Sequence, residues 1–178
     1  MTNTLRVLAG AALLATVASP ALAAAEKQTG EEIVLPAPPE GQGQIVFYRN
    51  GGMGMAIGCS VNENGEKVSS LGVGRYFVMN TTPGRHEFTV KSEAKDVLAL
   101  EVEDGERQFA KCKIKMGIMV GRPDLRPSDE NEFRASKGLK LVDDDDMGPA
   151  PGAVRGADMP GGVASSADEG EEASSGDE

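Results

Sequence analysis

The stretch Ala110-Lys111-Cys112-Lys113-Ile114-Lys115-Met116 alternates a small or apolar residue with a lysine at every step. Successive side chains of a β-strand leave opposite faces, so this segment predicts a strand with one apolar and one basic face. The same period recurs upstream: His86, Phe88 and Val90 alternate with Arg85, Glu87, Thr89 and Lys91, and Leu98, Leu100 and Val102 repeat it. Turn residues separate these runs, Thr82-Pro83-Gly84 before the first and Asp104-Gly105 before the last. Further upstream, residues 44–49 form a run that Gly51-Gly52 ends, and Met55, Ile57, Cys59 and Val61 line one face of a second strand. Asn64-Gly65 then supplies the positive φ of a tight hairpin, residues 67–71 return, and residues 75–80 continue past Gly72 and Gly74. About seven short strands with no helix among them predict an all-β fold, an antiparallel β-sandwich of immunoglobulin-like or transthyretin-like type. One short C-terminal helix follows, capped by Ser128, with Asp129 and Glu130 in its first turn and Gly138 closing it. Residues 139–142 add a last edge strand.

Parity places both cysteines toward the core. Cys59 shares a face with Met55, Ile57 and Val61, and Cys112 with Ala110, Ile114 and Met116. An inward pair in an oxidising compartment is most simply a disulfide, the alternative being two buried thiols that act as small hydrophobes.

That compartment is indicated by the N-terminus. Arg6, the apolar run from Val7 to Val17, Pro20 and Ala21-Leu22-Ala23 have the layout of a cleaved signal peptide over residues 1–23. No cysteine follows the apolar run, so there is no lipobox, and no later stretch approaches the length of a membrane span. The expected product is periplasmic or secreted. Residues 24–40, with Pro36, Pro38 and Pro39, read as a linker, and residues 41–142 as the domain. Residues 143–178 read as a disordered acidic tail, because they lack aromatics and carry 11 acids against one arginine. The domain carries 15 basic and 13 acidic residues, so nearly all of the net charge of −10 is assigned to that tail. The run at 143–146 lacks the alternating acids, central Gly and distal Glu of a calcium loop. The echo between Asp146-Met147-Gly148-Pro149 and Asp158-Met159-Pro160-Gly161 reads as low complexity.

The residues offer little for catalysis. His86 is the only histidine, which excludes a multi-His metal site, and its parity points it inward at a strand end. No nucleophile elbow, zinc-protease, P-loop or Cys-x-x-Cys pattern occurs, and Gly52-x-Gly54 with Gly58 lacks the spacing of a phosphate loop. No catalytic residue, metal site or cofactor is therefore expected. The surface candidates are Lys111, Lys113 and Lys115, which share one face of a strand, together with Arg122 and Arg126 in Gly121-Arg122-Pro123-Asp124-Leu125-Arg126-Pro127. A basic stripe suits an anionic partner, and the bland reading is a solvated strand face. Nucleic acid is not expected, because the domain is only weakly basic and no aromatic residue interleaves with the stripe. The acidic tail folding back over the stripe is a further expectation.

The chain resembles the bacterial domain-of-unknown-function family 2846 over residues 43–125. The resemblance rests on the order of Ile45-Val46-Phe47-Tyr48-Arg49, Val61-Asn62-Glu63-Asn64-Gly65-Glu66-Lys67-Val68 and Gly74-Arg75-Tyr76-Phe77. Pro83-Gly84-Arg85-His86, Leu100-Glu101-Val102-Glu103-Asp104-Gly105-Glu106 and Gly121-Arg122-Pro123 follow in the same order. It implies an exported β-sandwich without enzymatic activity and transfers no site. The function expected is a non-catalytic envelope module with a binding or structural role. Its partner would be an envelope protein, an anionic glycan or lipid head groups. A carbohydrate-binding module, or less strongly a small periplasmic enzyme built on His86, is the alternative.

Overall fold

The computed structural model describes residues 33–52, 56–91, 95–118 and 121–161; the signal peptide expected over residues 1–23 lies outside them, as do residues 162–178. The strands are β1 (Gly43–Arg49), β2 (Cys59–Glu63), β3 (Glu66–Leu71), β4 (Arg75–Thr81), β5 (Gly84–Lys91), β6 (Lys95–Val102) and β7 (Arg107–Lys115). After them come β8 (Arg122–Ser128), the short helix α1 (Glu130–Arg134) and β9 (Lys140–Leu141). They form two sheets, ordered β8-β7-β1-β4-β9 and β3-β2-β5-β6, so the expected all-β sandwich is what the chain adopts. The β2–β3 turn uses Asn64 at φ 50° and Gly65 at φ 86°, the two positive angles that join strands of right-handed twist.

The expectation of a wholly antiparallel sandwich is corrected. β1 runs parallel to β7, and β4 parallel to β9. A parallel neighbour needs a long crossover, and between β1 and β7 that crossover includes the whole second sheet. Side-chain alternation records which face a residue occupies, not the direction of the neighbouring strand. β8 was not expected as a strand, because Pro123 and Pro127 cannot donate to a ladder; an edge position tolerates them. The helix cap also moves by one residue. Asp129 accepts from the Glu132 amide at 2.9 Å, while the Ser128 hydroxyl binds Tyr48 and Glu132.

Both faces of the five-stranded sheet are covered at its centre, which explains why every residue of β1 is buried. Between the sheets lie Ile45, Phe47, Phe77, Phe88, Val61, Val90 and the Cys59–Cys112 disulfide, with the Phe47 and Phe77 rings stacked 4.7 Å apart. On the outer face, Val46, Tyr48, Tyr76, Val78 and Phe109 gather around Phe133 of α1. Ile33 joins this outer cluster, and Arg134 donates to its carbonyl at 2.6 Å. The expected linker is therefore docked from residue 33 onward. Gln44, fully buried, continues the same face as a polar ladder: it donates to Asn80 at 2.9 Å and accepts from Arg107 at 2.6 Å.

The domain does not end at residue 142. Residues 143–161 are folded onto the sandwich, a correction to the tail expected there. After β9, the chain makes a 3-10 turn at Asp144–Asp146 and crosses to the edge of β3, where the Gly148 and Ala150 amides donate to Val68 and Lys67. It then returns to β4, with Asn80 donating to Gly152 and Val154 to Val78. This strap closes the seam between the sheets along β3 and β4. The Asp-Met echo marks a repeated device. Each 3-10 turn, Asp144–Asp146 and Gly156–Asp158, delivers a buried methionine, Met147 into the inter-sheet core and Met159 into the outer cluster. Composition misleads here because a few well-spaced anchors, with Ala150 and Val154 between the methionines, suffice to hold an extended segment on two sheet edges. Residues 33–161 carry 16 basic and 19 acidic side chains, so the folded unit is mildly acidic and not slightly basic.

Candidate functional site

The five cations singled out in the sequence lie together on the outer face of β7 and β8. Lys111 stands opposite Arg126, Lys113 opposite Asp124, and Lys115 opposite Arg122. This is the continuation of the face that holds Phe109 under α1. The helix ends its cover at Lys111, whose ammonium lies 5.6 Å from the Tyr48 ring centroid and 2.5 Å from Glu132. Beyond it the strand pair runs into open solvent.

Two carboxylates, which were not anticipated, neutralise part of the stripe. Asp124 is 7% exposed, receives Lys115 at 2.6 Å and takes a two-pronged contact from Arg126 two residues along its own strand. Burial pushes the Asp124 carboxyl up, but the hydrogen bonds and charges of Lys115 and Arg126 outweigh it and leave the group below its ordinary value. Hydrogen bonds from Lys111 and Ser128 hold Glu132 down in the same way. Arg126 therefore grips a carboxylate of its own strand. Asp124 was legible as the partner only if Arg122-x-Asp124-x-Arg126 had been read as a strand facing Lys111-x-Lys113-x-Lys115. Among the described residues, Lys113 and Arg122 make no ion pair. Lys115 and Arg126 keep about half of their side chains exposed. At the end of this hairpin Met116 is 81% and Ile118 94% exposed.

The acidic run does not cover the stripe. Asp143 pairs with Arg75 at 2.9 Å beside β9, and the strap lies on the β3–β4 seam, with β1 and β4 between it and β7. The shielding expectation therefore fails for residues 143–161, and what remains of it concerns residues outside the described ones.

His86 sits at the open end of the sandwich, beside a polar cleft of about 450 Å³ lined by Glu63, Asn80, Thr81, Arg85, Glu87 and Gly152 among others. Its Nε2 lies 2.8 Å from the Thr82 carbonyl, which can only accept, and its Nδ1 lies 2.6 Å from Glu63. Both ring nitrogens are occupied within the protein. The ring also stacks on Phe88 with centroids 6.3 Å apart, as its inward parity predicts. Among the described residues no group of three His, Cys, Asp or Glu side chains is arranged to hold a metal. Gly51 and Gly52 belong to the loop after β1, and Gly54 lies outside the described residues.

The Cys59–Cys112 bond ties β2 of one sheet to β7 of the other, directly beneath the basic face. All seven aromatic residues are buried, so the domain offers no aromatic platform to a sugar ring. Residues 39–122 match the family described as protein of unknown function DUF2846. This bears out the resemblance read from the sequence, and β8 beyond Arg122, α1, β9 and the strap lie past the matched region. No curated protein and no solved structure matches the chain.

Proposed function

We propose that this DUF2846-like chain is an exported, non-catalytic module of the cell envelope whose β7–β8 face binds an anionic partner. The observation that carries the binding role is the imbalance on that face, five cations against Asp124 and Glu132, with Lys113 and Arg122 outside every ion pair among the described residues. Surface cations near a folded domain usually intermix with acids, whereas here the acids of the strap are gathered at the opposite edge, which orients the molecule toward negative charge. The inter-sheet disulfide supports an oxidising compartment, and the signal-like N-terminus supports export. A non-catalytic role is supported by the internal use of both His86 nitrogens and by the disulfide, which leaves neither cysteine as a nucleophile.

The full chain, recovered from the extracytoplasmic fraction, is incubated with envelope fractions at low and high salt beside the variant K113Q/R122Q. Retention is expected to fall several-fold in the variant and with salt, with thermal stability unchanged because both side chains are exposed. Equal retention of the two proteins at low salt overturns the binding face, and two alkylatable thiols in the recovered protein overturn the export reading.

A further inference from the structure

We infer that Met116 and Ile118, with Lys113, Lys115 and Arg122 behind them, dock onto the surface of an anionic lipid bilayer. The inference rests on the proposed cationic face and names its partner.

Four large apolar side chains are strongly exposed among the described residues, Val34, Val97, Met116 and Ile118, and two of these stand in the single connection from β7 to β8. Lys115 and Arg122 face each other where the strands enter that connection, and Lys113 lies one repeat behind, roughly 7 Å along the strand. A protein partner would meet these cations and the apolar tip as a patch of mixed character. A bilayer meets them in layers, because phosphates lie above the hydrocarbon boundary. Apolar side chains that project beyond a collar of cations match that order, with Met116 and Ile118 below the head groups and Lys113, Lys115 and Arg122 at phosphate depth.

The rest of the molecule fits the same orientation. Lys111 is largely covered where it pairs with Glu132, whereas Lys115 keeps half of its side chain exposed while it pairs with Asp124, so the collar is confined to the outer half of the hairpin. The acids at Asp143–146 stand at the far edge of the sheet, beyond β1 and β4, and so are held away from a surface that would repel them. The inter-sheet bond at Cys112 anchors β7 three residues before its end, giving the hairpin a rigid base. Two apolar side chains and a few cations make a reversible attachment, weaker than a membrane span.

The test is flotation of the full chain with neutral phosphatidylcholine vesicles and with vesicles that also contain phosphatidylglycerol. Three proteins are compared: the wild type, M116S/I118S and K113Q/R122Q. The wild type is expected to float with the anionic vesicles only. Each cation near such a surface contributes about five-fold, so K113Q/R122Q should lose roughly 25-fold in partitioning. M116S/I118S should lose at least about tenfold, an effect that salt does not reproduce, since burying an apolar side chain is independent of screening. Unchanged vesicle binding in M116S/I118S overturns tip insertion. Wild type that ignores anionic vesicles while still losing envelope-fraction retention in K113Q/R122Q overturns the lipid partner and leaves the cationic face standing. If neither vesicles nor envelope fractions retain the wild type, both readings fall. If M116S/I118S instead converts a self-associated chain to monomer in the absence of lipid, the tip is a contact between copies and the inference fails.

Discussion

At one edge of the five-stranded sheet, the backbone of residues 140–154 pairs with β4, crosses to β3 and comes back; at the other, β8 carries two prolines and ends in a hairpin of outward cations with an apolar tip. Both edges face the problem of unpaired strand groups, and they meet it by different means. The strap satisfies amides and carbonyls with its own main chain and closes the core. The β8 edge has donors removed by Pro123 and Pro127, and the Leu125 amide is satisfied at 2.8 Å by Asp96 from the second sheet. The first edge is thus closed by backbone pairing, and the second keeps Lys113 and Arg122 outside any ion pair among the described residues.

The sharpest way to break this contrast is to cut the chain before the strap and, separately, after it. Removing residues 143–178 uncovers β3 and β4 and deletes Met147, Ala150, Val154 and Met159 from both cores. Burying two methionines and a valine is worth about 5 kcal/mol, comparable to the whole stability of a small domain, so this truncation should not yield folded, soluble protein. Removing residues 162–178 should leave the melting temperature unchanged, and a fall of several degrees by calorimetry would refute the boundary.

Next in size is the disulfide. Closing a loop with a separation of 53 residues should stabilise the domain by about 4 kcal/mol on the chain-entropy estimate. Urea denaturation of C59A/C112A should show that loss; a change below about 1 kcal/mol would mean the packing alone holds the sheets together.

Single substitutions then separate the edges. A Cβ at Gly148 would lie 1.9 Å from the Lys67 carbonyl oxygen, and one at Gly152, where φ is +92°, would lie 2.1 Å from that of Asn80. G148A and G152A should each cost roughly 2–4 kcal/mol, because backbone on both sides must move. K113A at the other edge should stay within about 0.5 kcal/mol. Similar values for all three would erase the distinction.

The smallest effects concern pH. Asp124 has a folded value below its ordinary one, so its ion pairs stabilise the domain above the unfolded value of 3.8, and that contribution is lost as pH falls through the folded value. D124N should therefore flatten the acid limb of stability. Tyr48 and Tyr76 behave oppositely: burial pushes each up to about 12, so their contribution is intact below pH 10 and is lost as pH rises toward 12. Spectrophotometric titration showing both tyrosines ionising near 10 in the folded state would contradict the burial of the outer cluster.

How far the sequence leads is set by the range of each interaction. Period-two alternation is local, and it places Cys59 and Cys112 inward, His86 at a strand end, and Lys111, Lys113 and Lys115 on one face, whereas Arg122 and Arg126 join that face only through the register of β8 on β7. Parallel pairing of β1 with β7 is a relation between residues such as Gln44 and Arg107, and no local pattern carries it. The strap escaped for a related reason. Its anchors at 147, 150, 154 and 159 follow no helical or strand period, and the Asp, Gly and Pro between them have the composition of a solvated tail. The basic stripe was legible, whereas its neutralisation by Asp124 and Glu132 depends on hairpin register and on the docking of α1, both of them tertiary facts.

The strap also sets an order of events. It pairs Ser69 with Met147 and Met79 with Ala153, contacts between distant parts of the chain, and it comprises the last residues of the domain to be made. Synthesis proceeds from the N-terminus, so β3 and β4 wait with open edges until residue 161 has emerged. Contacts of such separation also form slowly. The seam between the sheets can therefore close only after every strand that it joins has been made, so the last step of folding is also the one that seals the core.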